Sequence, residues 1–307
     1  MFDFDAIIIG SGPAGITAGI YLARAKYRTV ILDKESFGGY PKNIDLIENY
    51  PGFPGGIPGA QLASSMVAQA KKHGVRFDNA EVSGLELFSD CRWVNCTNGQ
   101  GYTTAVVIIA GGSRHKMLGI PGETEFQGKG VFECALCDGG QFEGGVVAVC
   151  GGGDSAISEA LYMSRIASKV IVIHRRNQLR AAKTLQDRAL AEPKIEFIWD
   201  STVEAVEGEN RVKHLKIRNL LNNTRTDLPA DGLLVQIGTE PVTDYLNGMV
   251  PLDKEGFVLV NSQMETDVPH VLAAGDIRSG SPRQIAAAVG DGAIAGITAQ
   301  RLLQEMG

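Results

Sequence analysis

Aromatic residues are scarce in this 307-residue chain, at 7 %, and it holds only five cysteines and two tryptophans. Five thiols at this length exclude a secreted scaffold stapled by disulfides. Basic charge is short as well. The 29 Lys and Arg against 35 Asp and Glu leave a net −6, which argues against a nucleic-acid or anionic-membrane surface. Apolar runs such as Ala105 to Ala110 and Val146 to Cys150 fall far below the ~20 residues that span a bilayer. The opening MFDFDAIIIG lacks a basic n-region and reads as a buried strand rather than a signal peptide. With 44 % hydrophobic and 21 % charged residues, disorder, collagen and low complexity are excluded too. A soluble cytosolic protein of roughly two domains is expected.

Glycine is what the chain has in excess: 38 of 307 residues, against an average usage of roughly 7 %. Its positions explain the surplus. Phe4 to Ile9 reads as an apolar strand, and Gly10-Ser11-Gly12-Pro13-Ala14-Gly15 follows it. A helical pattern then runs from Ile16 to Arg24, and a second strand, Thr29 to Leu32, ends at Asp33. Strand, G-x-G-x-x-G, helix, strand and acid form the dinucleotide fingerprint. Gly10 permits the tight turn, Gly12 lets backbone approach a pyrophosphate, and Gly15 lets helix and strand pack closely. The helix N-terminus offers free N–H groups to phosphates, and Asp33 can accept hydrogen bonds from a ribose diol.

The unit then recurs. Val146 to Cys150 is followed by Gly151-Gly152-Gly153-Asp154-Ser155-Ala156, a helix through about Arg165, and the strand Lys169 to Ile173 ending at His174. Gly10 to Asp33 and Gly151 to His174 span the same 23 positions, a register that chance glycine-rich turns do not keep. The copies differ at their ends: the first closes on an acid, the second on His174-Arg175-Arg176 with Arg180 beyond. A carboxylate suits a free 2′-hydroxyl, whereas guanidinium groups pair bidentately with a 2′-phosphate. Two dinucleotides follow, NADPH on the second unit and FAD or NAD on the first. A solvated basic helix start is the plainer alternative for the arginines.

Between the two units, residues 80 to 112 read as antiparallel strands around an Asn98-Gly99 turn. Gly111-Gly112 and Pro241-Val242-Thr243 mark two crossing points, and a second strand pair surrounds Asn222-Asn223. His214 falls on a solvent face there. Near the end, Val271 to Asp276 is a strand closing in Gly275-Asp276, with a helix from about Pro282 to Glu305. That carboxylate can sit beside a cofactor hydroxyl, or simply in a turn.

Cys134-Ala135-Leu136-Cys137-Asp138-Gly139 holds the only C-x-x-C. Thiols at this spacing at a helix start can close a disulfide, and Asp138 could shuttle the proton that exchange must move. Half of a zinc site is the competing reading, with Cys91 and Cys96 as the other half, though their spacing lies in a strand. A nicotinamide delivers a hydride, while a disulfide is reduced by thiolate chemistry. A flavin mediates between them, which assigns FAD to the first unit.

Together these residues resemble the low-molecular-weight, bacterial-type thioredoxin reductases of the class II pyridine nucleotide-disulfide oxidoreductases. The likeness covers nearly the whole chain. It includes both glycine units, Gly38-Gly39, Ile47 to Gly52 with Asn49, Ile120 to Glu123, Cys134 to Gly139, His174 to Arg176 with Arg180, Ala274-Gly275-Asp276 and Arg283-Gln284. It implies an α/β fold of two Rossmann-like, three-layer ββα dinucleotide-binding domains, the NADPH domain (114–242) inserted into a discontinuous FAD domain (1–113 and 243–307). It further implies a homodimer in which Cys137 faces the flavin, Cys134 attacks the disulfide of thioredoxin and Asp138 is the acid/base. Because dithiol and nicotinamide share a domain yet must reach one flavin, domain rotation between half-reactions is expected. Gly39-Tyr40 departs from the family's usual Gly-Gln and puts Tyr40 near the flavin. Ala110-Gly111-Gly112 and Pro241-Val242-Thr243 also depart from it. Competing readings are a reductase fed by ferredoxin or serving another partner, and a non-catalytic redox sensor. Arg175, Arg176 and Arg180 speak against the ferredoxin version.

Overall fold

The computed structural model describes residues 2–44, 46–89 and 91–306, and of Cys137 the backbone alone. The chain divides into two compact units, Met1–Arg114 with Glu240–Gly307, and His115–Thr239. The first stretch carries β1 (Phe4–Ile9), α1 (Pro13–Arg24), β2 (Thr29–Asp33), α2 (Gly59–Lys72), β3 (Arg76–Asn79), β4 (Val82–Leu87), β5 (Arg92–Cys96), β6 (Gly101–Ile109) and β7 (Ser113–His115). Next come β8 (Val131–Phe132), α3 (Ala135–Asp138), β9 (Val146–Gly151), α4 (Asp154–Met163), β10 (Lys169–Ile173), α5 (Lys183–Ala191) and β11 (Ile195–Ile198). The inserted unit is completed by β12 (Ser201–Gly208), β13 (Val212–Asn219), β14 (Arg225–Pro229) and β15 (Gly232–Gln236). The return carries β16 (Thr239–Pro241), β17 (Val271–Ala273) and α6 (Ile285–Met306).

The first unit is built on the sheet β3-β2-β1-β6-β5-β4, with β17 also bonded to β6. β1, β2, β3, β6 and β17 pair in parallel, while β4, β5 and the start of β6 form an antiparallel meander. β6 serves both arrangements. Gly101 to Thr104 pair with β5, and Val107 to Ile109 pair with β17. Strands covered on both faces are apolar throughout, and their alternation divides two cores. Ala6 and Ile8 face α1, α2 and α6, whereas Ile7 and Ile9 face a layer containing Leu85, Val94 and Leu246. Small residues let α6 lie directly on α1: a side chain at Gly292 would collide with the carbonyl of Ala14, and one at Gly296 would crowd Ala18.

The inserted unit repeats this plan. Its parallel sheet runs β11-β10-β9-β15-β8. Val147, Val149, Val170 and Val172 face α4 and α5, while Ala148, Cys150, Ile171 and Ile173 face the antiparallel layer β12-β13-β14. Each unit is therefore a three-layer ββα sandwich. On the outer layer His214 meets Glu207 at 2.8 Å.

The second crossing falls between Thr239 and Glu240, three residues before the 242/243 boundary read from the sequence. Arg114 explains the difference, because it pairs with Glu240 at 2.8 Å and Asp244 at 3.0 Å. The Val242 amide donates to the Gly112 carbonyl, and the Thr243 hydroxyl to that of Gly256. Those bonds hold residues 240 to 243 in the first unit. α6 starts at Ile285 rather than near Pro282, since Arg283 has φ +55° and cannot be helical. α4 stops at Met163, two residues short of Arg165.

Candidate functional site

In each unit the glycine turn joins the first parallel strand to the next helix. Gly10 lies at φ +107°, and a side chain there would collide with the carbonyl of Ala110, where β6 has just ended. A side chain at Gly151 would collide in the same way with the carbonyl of Gln236, at the end of β15. The second glycines behave alike too. Gly12 and Gly153 are the N-cap residues of α1 and α4, in extended backbone with no side-chain cap. A Cβ on either one would meet nothing within 4 Å. Two helix N-termini thus present uncapped N–H groups to open space, an arrangement suited to a phosphate. The third positions differ: a Cβ at Gly15 would strike the Gly10 carbonyl, while the second unit tolerates Ala156.

Around α1 the first unit gathers most of the residues singled out for FAD. The Ser11 amide and hydroxyl donate to the Asp33 carboxylate at 2.7 and 2.6 Å. Asp33 thereby sits against the glycine turn, with its other oxygen accepting from the Glu35 amide. The Gly38 amide donates to Ser11, and a Cβ at Gly39 would lie 2.6 Å from the Cα of Gly12. Tyr40, 45 % exposed, follows directly. Pro13 and Ala14 are buried in the first turn of α1, and a Cβ at Gly275 would come within 2.9 Å of the Ala14 side chain. Burial pushes the Asp276 carboxyl up, against the Ser281 hydroxyl that donates to it at 3.2 Å. The Asn49 amide donates to Gln284 at 2.9 Å, joining two loops 235 positions apart in the chain. Arg283 lies with its guanidinium 4.9 Å above the Phe257 ring.

Around α4, residues 174 to 182 are a loop rather than the basic helix start considered above, because their amides bond elsewhere. The Arg180 and Ala181 amides donate to the Gly152 carbonyl, and the Ala182 amide to the Asp154 carboxylate at 2.7 Å. The loop therefore folds back onto the glycine turn. Ser155 is exposed beside it in the first turn of α4. Arg175, Arg176 and Arg180 line a concavity of ≈ 320 Å³ together with Asp200. The His174 ring is buried, so close to Gly152 that a Cβ there would fall within 2.5 to 2.8 Å of it. Its Nε2 has no hydrogen-bond partner; burial first and then the three arginines lower its pKa, against a hydrogen bond to the Gln178 backbone. Three guanidinium groups and an orphaned ring nitrogen beside an uncapped helix start fit the phosphates of NADPH. The Ser11–Asp33 turn and the open space at Gly12 likewise fit the pyrophosphate and ribose of FAD.

Cys134 is disulfide-bonded, while Cys91, Cys96 and Cys150 are free. Cys137 lies on α3, its side chain outside the described set, with Asp138 next to it. Sequence reading missed three side chains. Glu159 accepts the Ala135 amide at 2.6 Å, and Gln236 donates to the Glu133 carbonyl at 2.7 Å. Asp291 accepts from the Gly275 amide and holds Arg278 through two bonds of 2.6 and 2.9 Å. Only Asp291 left a signal, as a lone acid in a stretch of small and apolar residues.

Burial pushes the Glu159 carboxyl up from the ordinary value of 4.5 to about 7, with the Ala135 amide acting the other way. The folded chain therefore binds a proton here that the unfolded chain has released, and the stability this supplies is lost as pH rises toward 7. Glu159→Gln should flatten that part of the profile. The wild-type thermal midpoint should fall more than the variant's between about pH 5 and about pH 8; equal falls would refute the assignment.

A family model described as pyridine nucleotide-disulphide oxidoreductase matches residues 4–292. The thioredoxin reductase of Listeria innocua is 39 % identical over 305 residues, covering 99 % of this chain and 95 % of that protein. The Bacillus subtilis enzyme of the same name is 38 % identical over 304 residues, covering 99 % and 96 %. Lactococcus lactis thioredoxin reductase, solved in what is termed its FR conformation, matches with a TM-score of 0.96 at 37 % identity, across 99 % of this chain and 100 % of that one. The chain belongs to the pyridine nucleotide-disulphide oxidoreductase family, among its low-molecular-weight thioredoxin reductases.

Proposed function

We propose that the chain is an NADPH-dependent FAD enzyme that reduces the disulfide of thioredoxin through a Cys134–Cys137 disulfide and dithiol, working as a cytoplasmic homodimer. The observation that carries this reading is the repeated glycine turn with unlike surroundings. One copy has the Asp33 carboxylate beside it, the other a loop of three arginines, and Cys134 stands in a disulfide in the arginine-bearing unit. A bound FAD would supply the two-electron chemistry that links a nicotinamide hydride to a cysteine sulfur. The chain's own residues bind and orient. Ser11, Gly12 and the first amides of α1 hold a pyrophosphate, with Asp33 taking ribose hydroxyls and Asp276, Asn49 and Gln284 bordering the rest. Gly153, Asp154 and Ser155 open the helix that faces the second pyrophosphate, and Arg175, Arg176 and Arg180 take the 2′-phosphate. Cys134 attacks the partner's disulfide, and Asp138 moves the proton.

Dithiol and arginine loop share one unit, so rotation about the crossings at 114/115 and 239/240 is part of the proposal. Among the described residues no helix is long and apolar enough to cross a membrane. Tyr21 on α1 and Ile297 on α6 expose apolar surface that a second copy could cover.

Nucleotide choice tests the reading. Each charge-assisted bond to the 2′-phosphate is worth about 1.5–3 kcal/mol. Replacing Arg175 and Arg176 together by Ala should raise KM for NADPH about 100-fold and leave kcat within about threefold. KM for NADH should barely move. Steady-state assays with both nucleotides decide it, and an equal loss toward both would refute the role of the loop.

A further inference from the structure

Two side chains of the inserted unit grip the peptide on either side of Cys134. Glu159, on α4, takes the Ala135 amide, and Gln236, buried at the end of β15, donates to the Glu133 carbonyl. Both elements also frame the second glycine turn. The redox segment is therefore tied to the nucleotide-binding frame at two points, one neutral and one ionisable.

The ionisable point has a distinctive chemistry. α3 is only four residues long, and the Ala135 amide is the first N–H it could offer to a thiolate at Cys134. Glu159 occupies that amide and brings a carboxylate to within one peptide of Cys134. Burial and the Ala135 amide are the influences acting on Glu159, with no charged side chain of the described set among them. A carboxylate partly withdrawn from water without a cation is costly, and a glutamine would hold the same amide without that cost. An ionisable group at such a place, charged once the pH passes about 7, points to a use for the charge itself.

We propose that Glu159 is a positioning residue whose negative charge makes the Cys134 disulfide harder to reduce, and so makes the reduced enzyme a stronger reductant. The inference rests on the reading of Cys134 as redox-active. In the step concerned, two electrons from NADPH, relayed through the flavin, break the S–S bond, and the two sulfurs end as thiols by taking up two protons. A fixed carboxylate next to Cys134 raises the energy of any thiolate there and favours its protonated form. Less of the driving force is then stored in a stable thiolate, and more remains for the partner's disulfide. Glu133 and Asp138 carry the other carboxylates of this segment and stay in place in the variants below.

The test compares holoenzymes of wild type, Glu159→Gln, Glu159→Asp and Gln236→Met, each judged folded by its flavin absorbance. Each is equilibrated at about pH 8, above the value of about 7 to which burial raises the Glu159 carboxyl, in glutathione buffers of graded ratio, trapped by alkylation, and read by mass. Glu159→Gln should shift the equilibrium toward the dithiol about tenfold, about 30 mV for a two-electron couple. The pH at which iodoacetamide begins to alkylate the reduced Cys134 peptide should move down as well. Glu159→Asp, which keeps the charge, and Gln236→Met, which releases the other side, should both keep the wild-type alkylation profile. The proposal is overturned if Glu159→Gln keeps the wild-type equilibrium, or if Gln236→Met moves the profile as far as Glu159→Gln does. A wild-type enzyme with no reversible thiol titration at Cys134 would instead overturn the proposed function.

Discussion

Cys134→Ser is expected to lower NADPH-dependent reduction of thioredoxin by ~10³-fold or more, the scale of losing a covalent nucleophile. Flavin reduction by NADPH should survive, because it uses the arginine loop and the glycine turns rather than the sulfur. No other described thiol can substitute. Cys150 is buried at the end of β9, and burial pushes its thiol up to about 12. Cys96, buried in β5, is likewise shifted up by burial, and Cys91 belongs to the first unit, not to the one that carries Cys134. A serine hydroxyl forms no mixed disulfide, so the second half-reaction has no path. Stopped-flow flavin bleaching together with a steady-state thioredoxin assay separates the two halves. Retention of the thioredoxin assay would remove Cys134 from the mechanism.

The second large effect contrasts two glycines three positions apart. Gly12→Val should leave the unloaded protein about as stable as wild type, because the space beyond Gly12 is open and its φ of −73° suits any residue. The valine would nevertheless stand where the pyrophosphate meets the amides of α1. FAD affinity should fall about 100-fold, close to 2.7 kcal/mol. Gly15→Val should lose both properties, since its Cβ strikes the Gly10 carbonyl and lies 3.1 Å from the Ile8 side chain. Overpacking at such a point typically costs 1–3 kcal/mol, occasionally more. Thermal unfolding of the flavin-free proteins, paired with FAD titration, reads the two effects separately. Equal destabilisation by both variants would contradict the assigned space at Gly12.

That contrast shows how far local sequence carries. Both glycine turns, the strands that feed them and the alternation of β9 and β10 are written in consecutive residues, and the fold class follows. Side chains that act across the chain are not. Glu159 reads as one more polar residue on an amphipathic helix until α3 is placed beside it, and Gln236 reads as the end of a strand. From sequence alone, a solvated helix start is the plainer alternative for the arginine run. Its amides are instead taken by Gly152 and Asp154, a tertiary choice that no local propensity records. Arg114 moved the second crossing for the same reason, by pairing with residues more than a hundred positions away.

The divided loyalty of β6 bears on how the molecule is made. Its last three residues wait for β17, and α1 waits for α6, 261 positions after α1 ends at Arg24. At about 5–20 residues per second on the ribosome, the face of α1 that meets α6 stays uncovered for tens of seconds. The unit between His115 and Thr239 is contiguous and can finish folding in that interval. The older half of the flavin unit is thus the segment most exposed to chaperones and proteases during synthesis.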